Sequence, residues 1–169
     1  MDKLWAPWRI TYIRSAKKKT KCIFCGARGK PYKNHYLIFK SRHSLCMLNL
    51  YPYNNGHLLV APLRHTGEIA ELSDAEMLDL MKTVVKSRKL LDTLLKPHGY
   101  NIGINISETA RAGIQNHIHI HLVPRWKGDT NFMPVAAGTK IISQSLDELY
   151  KQLKKCYVEY AEQKNDKNY

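Results

Sequence analysis

Asn116-His117-Ile118-His119-Ile120-His121-Leu122-Val123-Pro124 sets three histidines in alternation with apolar residues. Alternation marks a strand with one face buried, and side chains at i, i+2 and i+4 emerge on one face about 6.6 Å apart, at roughly 3.3 Å per residue. The run predicts a strand from His117 to Val123 that presents three imidazoles in a row. Imidazole titrates near neutrality and can act as nucleophile, proton carrier, metal ligand or hydrogen-bond partner. The residues leave three readings open: satisfied structural histidines, a three-histidine metal site, or a chemically active row. Adjacent same-face positions of one strand offer a metal two ligands easily, whereas three converging on one ion strain the geometry.

Upstream of the run, Tyr100 to Ile106 alternates again, and the small residues Ser107 to Gly113 join the two as neighbouring antiparallel strands. Earlier strands are expected at His35 to Lys40, Ser44 to Asn49 and His57 to Ala61. The turn-rich Tyr51-Pro52-Tyr53-Asn54-Asn55-Gly56 precedes the last of these, and Pro62 ends it or marks its edge. Ser73-Asp74-Ala75-Glu76 is a capping box. After it Met77, Leu78, Met81, Val84, Val85, Leu91, Leu94 and Leu95 recur at helical spacing until Pro97 and Gly99, so one long helix should lay this stripe on the sheet. A second box, Ser145-Leu146-Asp147-Glu148, opens a C-terminal helix with Leu149, Leu153, Cys156, Tyr157 and Tyr160 on one side. The order strands, helix, strands, helix predicts an α+β fold with an antiparallel sheet.

The chain has 169 residues, enough for one domain with a full core and too few for two ordinary ones. Hydrophobic residues make up 44% and charged residues 24%, a balance that argues against disorder. No apolar run approaches the length of a membrane span, and Met1-Asp2-Lys3-Leu4-Trp5-Ala6-Pro7 has no apolar signal core, so a cytoplasmic protein without a membrane partner is expected. Twenty-seven Lys and Arg against 14 Asp and Glu give a formal charge of +13, which favours polyanionic partners: nucleotides, polyphosphates or nucleic acid. Lys17, Lys18, Lys19 and Lys21 cluster, and Lys164 and Lys167 lie in a polar tail, positions that also suit plain solubility.

Of four cysteines, Cys22 and Cys25 alone form a motif, Cys22-Ile23-Phe24-Cys25-Gly26. Without a secretory signal such a pair reads as metal ligands or a redox dithiol before a structural disulfide. Cys46 and Cys156 read as small buried hydrophobes. Trp5, Trp8 and Trp126 suit packing better than stacking on a base.

His117-x-His119-x-His121, preceded by Gly56-His57-Leu58-Leu59-Val60-x-Pro62-x-Arg64-His65, resembles the histidine triad (HIT) superfamily of nucleotide hydrolases and transferases. Leu48 to Asn54 and Pro124 to Pro134 are most similar to its diadenosine tetraphosphate hydrolase and phosphorylase branch, and the resemblance spans about residues 4 to 142. It implies cleavage of diadenosine polyphosphates, or related adenine nucleotides, at the α-phosphate through a covalent nucleotidyl-histidine intermediate. His119 would be the nucleophile, with His121 and His57 at the same phosphate. Asn49 would bond the ribose hydroxyls and Asn105 would position the phosphate. In Ala112-Gly113-Ile114-Gln115-Asn116 the family places a Ser, Thr or Gln against the scissile phosphate, so either the Gly113 N–H or the Gln115 side chain takes that part here. The resemblance also implies structural zinc on Cys22, Cys25, His65 and His117, and a homodimer. The implied organisation is an N-terminal arm with a Cys knuckle at 1–34, within the same domain as a HIT domain at 35–142, then a C-terminal helix and tail at 143–169.

Three rival readings stay open, one of them a non-catalytic zinc-dependent scaffold in which the triad is only structural. A nucleoside phosphoramidase or adenylyl hydrolase is disfavoured by Pro124-Arg125-Trp126-x-Gly128-Asp129. Processing of adenylylated nucleic-acid ends would suit the charge, but the basic residues form no regular stripe, so nucleic acid is not the favoured partner.

Overall fold

The computed structural model describes residues 22–28, 36–106, 116–129 and 141–165. The expectations for Gly113 and Gln115, and for the arm up to residue 21, lie outside the described residues.

Five strands, β1 (Leu37–Lys40), β2 (Ser44–Leu48), β3 (Leu58–Pro62), β4 (Gly99–Ile104) and β5 (Ile120–Arg125), form one sheet in the order β1-β2-β3-β5-β4, every neighbour antiparallel. A short helix, α1 (Ile23–Arg28), precedes them; α2 (Asp74–Leu95) crosses between β3 and β4, and α3 (Leu146–Asn165) ends the described chain. This is the α+β architecture that the element order predicts. No helix among the described residues is long and apolar enough to cross a membrane.

Period-2 alternation divides β2 and β3 between two cores, because successive side chains leave opposite faces. Cys46, Leu48, Leu58 and Val60 join Ile120 and Leu122 under α2 and α3. Leu45, Met47, Leu59 and Ala61 pack with Phe24 and Ala27 of α1 on the other face. The second face thus holds positions 45, 47, 57, 59 and 61, and the pairing of Leu59 with His121 adds the odd-numbered residues of β5 to it.

The capping box forms as read: Ser73 Oγ accepts from the Glu76 N–H and the Glu76 carboxylate accepts from the Ser73 N–H. The stripe behind it needs correction. Leu80, Thr83, Val84, Ser87, Leu90 and Leu91 face the core, while Met77, Leu78, Met81 and Val85 are 38%, 56%, 52% and 50% exposed. Small hydroxyl residues replace the expected Met and Leu on the inner face because they carry their own partners. Ser87 Oγ donates to the Thr83 carbonyl, and Ser41 Oγ lies 3.0 Å from Thr83 Oγ1. On α3, Leu149, Leu153 and Cys156 are buried as expected, and Cys46 is buried as well.

The histidine strand is shorter and later than its alternation predicts, since β5 begins at Ile120 and runs to Arg125. Ahead of it the groups that would extend the ladder are bonded elsewhere. The Ile118 N–H donates to the Thr66 carbonyl (2.7 Å), and the Pro62 carbonyl accepts from His117 Nε2 (2.8 Å). Pro124 is tolerated inside β5 because the β3 ladder stops at Leu58↔Leu122, so no partner strand awaits its missing N–H. Its carbonyl accepts instead from Asn54 Nδ2 (3.0 Å).

Candidate functional site

On the second face of the sheet α1 packs over β1 to β3, and its Phe24 reaches the rings of His117 and His119. Over β5 and β4 that face carries the polar side chains of His117, His119 and His121, with His57 and Asn49 arriving from the neighbouring strands. Asn49 and His57 bracket the β2–β3 turn, their main chains joined by Asn49 N–H to His57 O at 2.9 Å. Opposite His121 in β4 stands Gly103, where an added Cβ would meet nothing within 4 Å. All the candidate residues within the described chain gather here: Asn49, His57, Asn105, His119 and His121 around one patch, Cys22, Cys25, His65 and His117 beside it.

Hydrogen bonding fixes the proton on each imidazole of the patch. The Tyr53 N–H donates to His57 Nδ1 (3.1 Å), and a main-chain amide can only donate, so that nitrogen is an acceptor. Asn49 Nδ2 approaches the same atom at 3.2 Å, while Asn49 Oδ1 accepts from the Tyr51 N–H. The neutral His57 must then carry its proton on Nε2, which donates to His121 Nδ1 at 2.9 Å. His121 in turn holds its proton on Nε2, 3.4 Å from the Asn105 side-chain amide. The amide atom at that distance is Nδ2, and a half-turn of the Asn105 amide would set Oδ1 there to accept from the ring N–H. Burial keeps both rings neutral: His57 is pushed down to about 3 and His121 to about 4, with neighbouring histidines adding repulsion.

His119 has the opposite polarity. Its Nδ1–H donates to the His117 carbonyl (2.9 Å), which leaves the lone pair on Nε2. The ring is 3% exposed, and its pKa is lowered by burial and partly restored by that carbonyl. His119 and His121 lie 4.9 Å apart between ring centroids. A lone pair on one ring beside an N–H donor on the next can attack an electrophile and bind the anionic oxygen on it.

The cluster beside the patch consists of Cys22 and Cys25 at the start of α1, His65 after β3 and His117 before β5. Their ligand atoms all lie within 4.8 Å of one another. His117 Nδ1 is 3.2 Å from Cys22 Sγ, 3.7 Å from Cys25 Sγ and 3.2 Å from His65 Nδ1, and the Cys25 to His65 contact is also 3.2 Å. The His117 Nε2–H is spent on Pro62, so Nδ1 turns a lone pair into the cluster. Burial and the adjacent Cys22 both hold the Cys25 thiol above its ordinary pKa. Lone pairs and thiols converging in this way form a set that can hold a metal ion, whose charge would favour the thiolates.

One residue of the patch escapes a reading by residue type. The Tyr53 ring lies over His57 (centroids 4.7 Å) and nearly parallel to His121 (5.8 Å, 12°). Its two-residue offset from Tyr51 across Pro52 was the available signal, and the turn composition masked it.

A family model of the HIT domain matches residues 31–128. The chain is 33% identical over 154 residues to "AP-4-A phosphorylase" of Mycobacterium tuberculosis, covering 86% of this chain and 79% of that one. It is 30% identical over 93 residues to the asymmetrical bis(5'-nucleosyl)-tetraphosphatase of Schizosaccharomyces pombe, where the match spans half of the relative's length. Among solved structures, a Zn-bound histidine triad family protein of Mycobacterium smegmatis superposes with TM-score 0.61 over 90% of this chain and 95% of its own, at 20% identity. A family model spanning more than half of the chain, a relative aligned over most of its length and a shared sheet-and-helix fold lead to one placement: the chain belongs to the HIT family, the histidine triad proteins.

Proposed function

We propose that the protein is a nucleotide hydrolase or phosphorylase that cleaves a diadenosine polyphosphate at the α-phosphate through a nucleotidyl-His119 intermediate. The observation that carries this reading is the pairing of a lone pair on His119 Nε2 with an N–H on His121 Nε2. His119 Nε2 bonds to the α-phosphorus as the bond from phosphorus to the bridging oxygen breaks, and the polyphosphate half leaves with that electron pair. Water or inorganic phosphate then attacks the same phosphorus and releases His119 with the nucleotide. The His121 Nε2–H binds a phosphate oxygen as charge builds, and His57 holds His121 in that tautomer. Asn105, just past the end of β4, steadies the phosphate, Asn49 meets the ribose, and Gly113 or Gln115 meets the scissile phosphate. The two relatives named for dinucleoside tetraphosphate chemistry support the substrate class.

The neighbouring cluster suits zinc. Zn–S bonds of about 2.3 Å and Zn–N bonds of about 2.0–2.1 Å set tetrahedral ligand atoms roughly 3.3–3.8 Å apart. Four of the six separations already lie between 3.2 and 3.7 Å. Cys22, Cys25, His65 and His117 would fill all four positions, so the ion would cross-link α1 to the sheet rather than meet substrate. The arm and the main domain would then be one unit. A cytoplasmic homodimer completes the reading; Leu78, Met81 and Val85 exposed along α2, and β4 as the last strand of the sheet among the described residues, would suit the two-fold contact.

Incubation with diadenosine tetraphosphate, with and without phosphate, tests the reaction. AMP plus ATP indicates hydrolysis and ADP plus ATP phosphorolysis. Two ADP without added phosphate, or no turnover, would sink attack at the α-phosphate.

A further inference from the structure

Phe24 packs on the rings of His117 and His119 at one end of the histidine row, and Tyr53 packs on His57 and His121 at the other. The two aromatics differ in their surroundings. Phe24 is 1% exposed and belongs to the core, whereas Tyr53 is 59% exposed and turns one face to the imidazoles and the rest to solvent. A tyrosine that contributes so little to the core, yet lies nearly parallel to a histidine of the site, offers a flat apolar surface at the edge of the patch.

The platform is also held still. The Tyr53 N–H is bonded to His57, and the His57 N–H returns to the Asn54 carbonyl. Asn54 is 7% exposed and donates to both the Pro124 carbonyl and the Asp129 carboxylate. Gly56 closes the turn at φ +77°, where a Cβ would stand 2.6 Å from Leu95. A ring on a backbone pinned at these points loses little freedom on binding a flat ligand.

We infer that Tyr53 is the stacking platform for the second nucleobase of the substrate, the one on the departing half. This rests on the nucleotidyl-His119 reading above. In an in-line displacement the leaving chain departs from the side of phosphorus opposite His119, and of the two ends of the row the Phe24 end is closed by the core while the Tyr53 end is open to receive it. A nucleobase at the end of that chain presents the π-face that an exposed aromatic ring accepts, and stacking does not read base identity. The site would therefore prefer dinucleoside polyphosphates to mononucleotides of equal phosphate number, while tolerating guanine in place of the second adenine.

The test compares kcat/KM for diadenosine tetraphosphate with that for adenosine 5′-tetraphosphate, which keeps the phosphates and lacks the second base. Tyr53→Ala should lower the ratio of the two about tenfold, the scale of one base stacked on an aromatic side chain. Tyr53→Trp should keep the ratio. Equal losses on both substrates in Tyr53→Ala would mean that the ring only steadies His57 and His121, and would overturn the platform. A wild-type protein that turns over neither substrate would instead overturn the nucleotidyl-transfer reading, and the platform with it.

Discussion

At the Phe24 end of the row, His117 turns a lone pair toward His65 Nδ1 and two cysteine sulfurs; at the Tyr53 end, His57 and His121 share one proton in line, donor to acceptor, at 2.9 Å. The first arrangement closes only with protons on the sulfurs or with an ion among the four ligand atoms, since His117 Nδ1 brings no proton of its own. The second is complete as it stands, because the Tyr53 amide supplies the proton order of both rings. His119 lies between the two and draws on the first, through the His117 carbonyl. Identical side chains a few residues apart are thus divided by where their second nitrogen finds its partner.

Substitution of His119 itself should have the largest effect. His119→Ala removes the attacking atom and keeps both ends, so kcat/KM for diadenosine tetraphosphate should fall by about a thousandfold or more, measured by product separation. Retention of a tenth of the activity would move the chemistry to another residue. Next comes the incomplete end. Purified protein should hold close to one zinc per chain by elemental analysis, and chelation or Cys22→Ser should cost about 3 kcal/mol, a fall in Tm of roughly 6–12 °C. An unchanged Tm with no metal found would show that thiol protons, and not an ion, link the sulfurs to the imidazoles.

The complete end is best disturbed through its turn. Gly56→Ala forces a left-handed φ on a residue with a Cβ and drives that Cβ against Leu95. Thermal melts should show a loss of about 2 kcal/mol, roughly 4–8 °C, with kcat/KM falling because His57 and Tyr53 sit on the same turn. A signature more gradual in pH is the acid limb of stability. His57 and His121 titrate near 6.5 when unfolded but at about 3 and about 4 when folded. Their contribution is therefore full above about 6.5 and is lost as pH falls from there toward 4, where the unfolded chain binds the extra protons. His57→Asn should reduce the proton uptake on unfolding near pH 5 by close to one; an identical pH slope in wild type and variant would mean that His57 is protonated in the fold.

Much of this was legible in the chain. Ser73 and Glu76 announced the start of α2, the Cys22 and Cys25 spacing pointed to metal ligands or a redox dithiol, and the alternation set His117, His119 and His121 on one face, with His57 joined to them by the family resemblance. What stayed hidden was set by tertiary partners. Helical spacing alone did not choose between the Met81 face and the Thr83 face of α2, because Ser87 bonds its own helix while Thr83 meets Ser41 from a distant part of the chain, and both hydroxyls can then be buried. The late start of β5 depended on His117 spending its ring N–H on Pro62, a contact 55 residues away in the chain. Tyr53 looked like turn filler, since nothing in a turn motif says that its ring folds back over two histidines.

His117 has the least latitude of any residue described. One ring nitrogen serves the cysteine cluster, the other holds Pro62, the carbonyl orders the proton on His119, and the ring face lies against Phe24. Asparagine can reproduce one of these duties and cysteine another, but no side chain other than imidazole reaches both nitrogen positions at once. A residue committed on every side to the fold therefore narrows the variation this patch can tolerate.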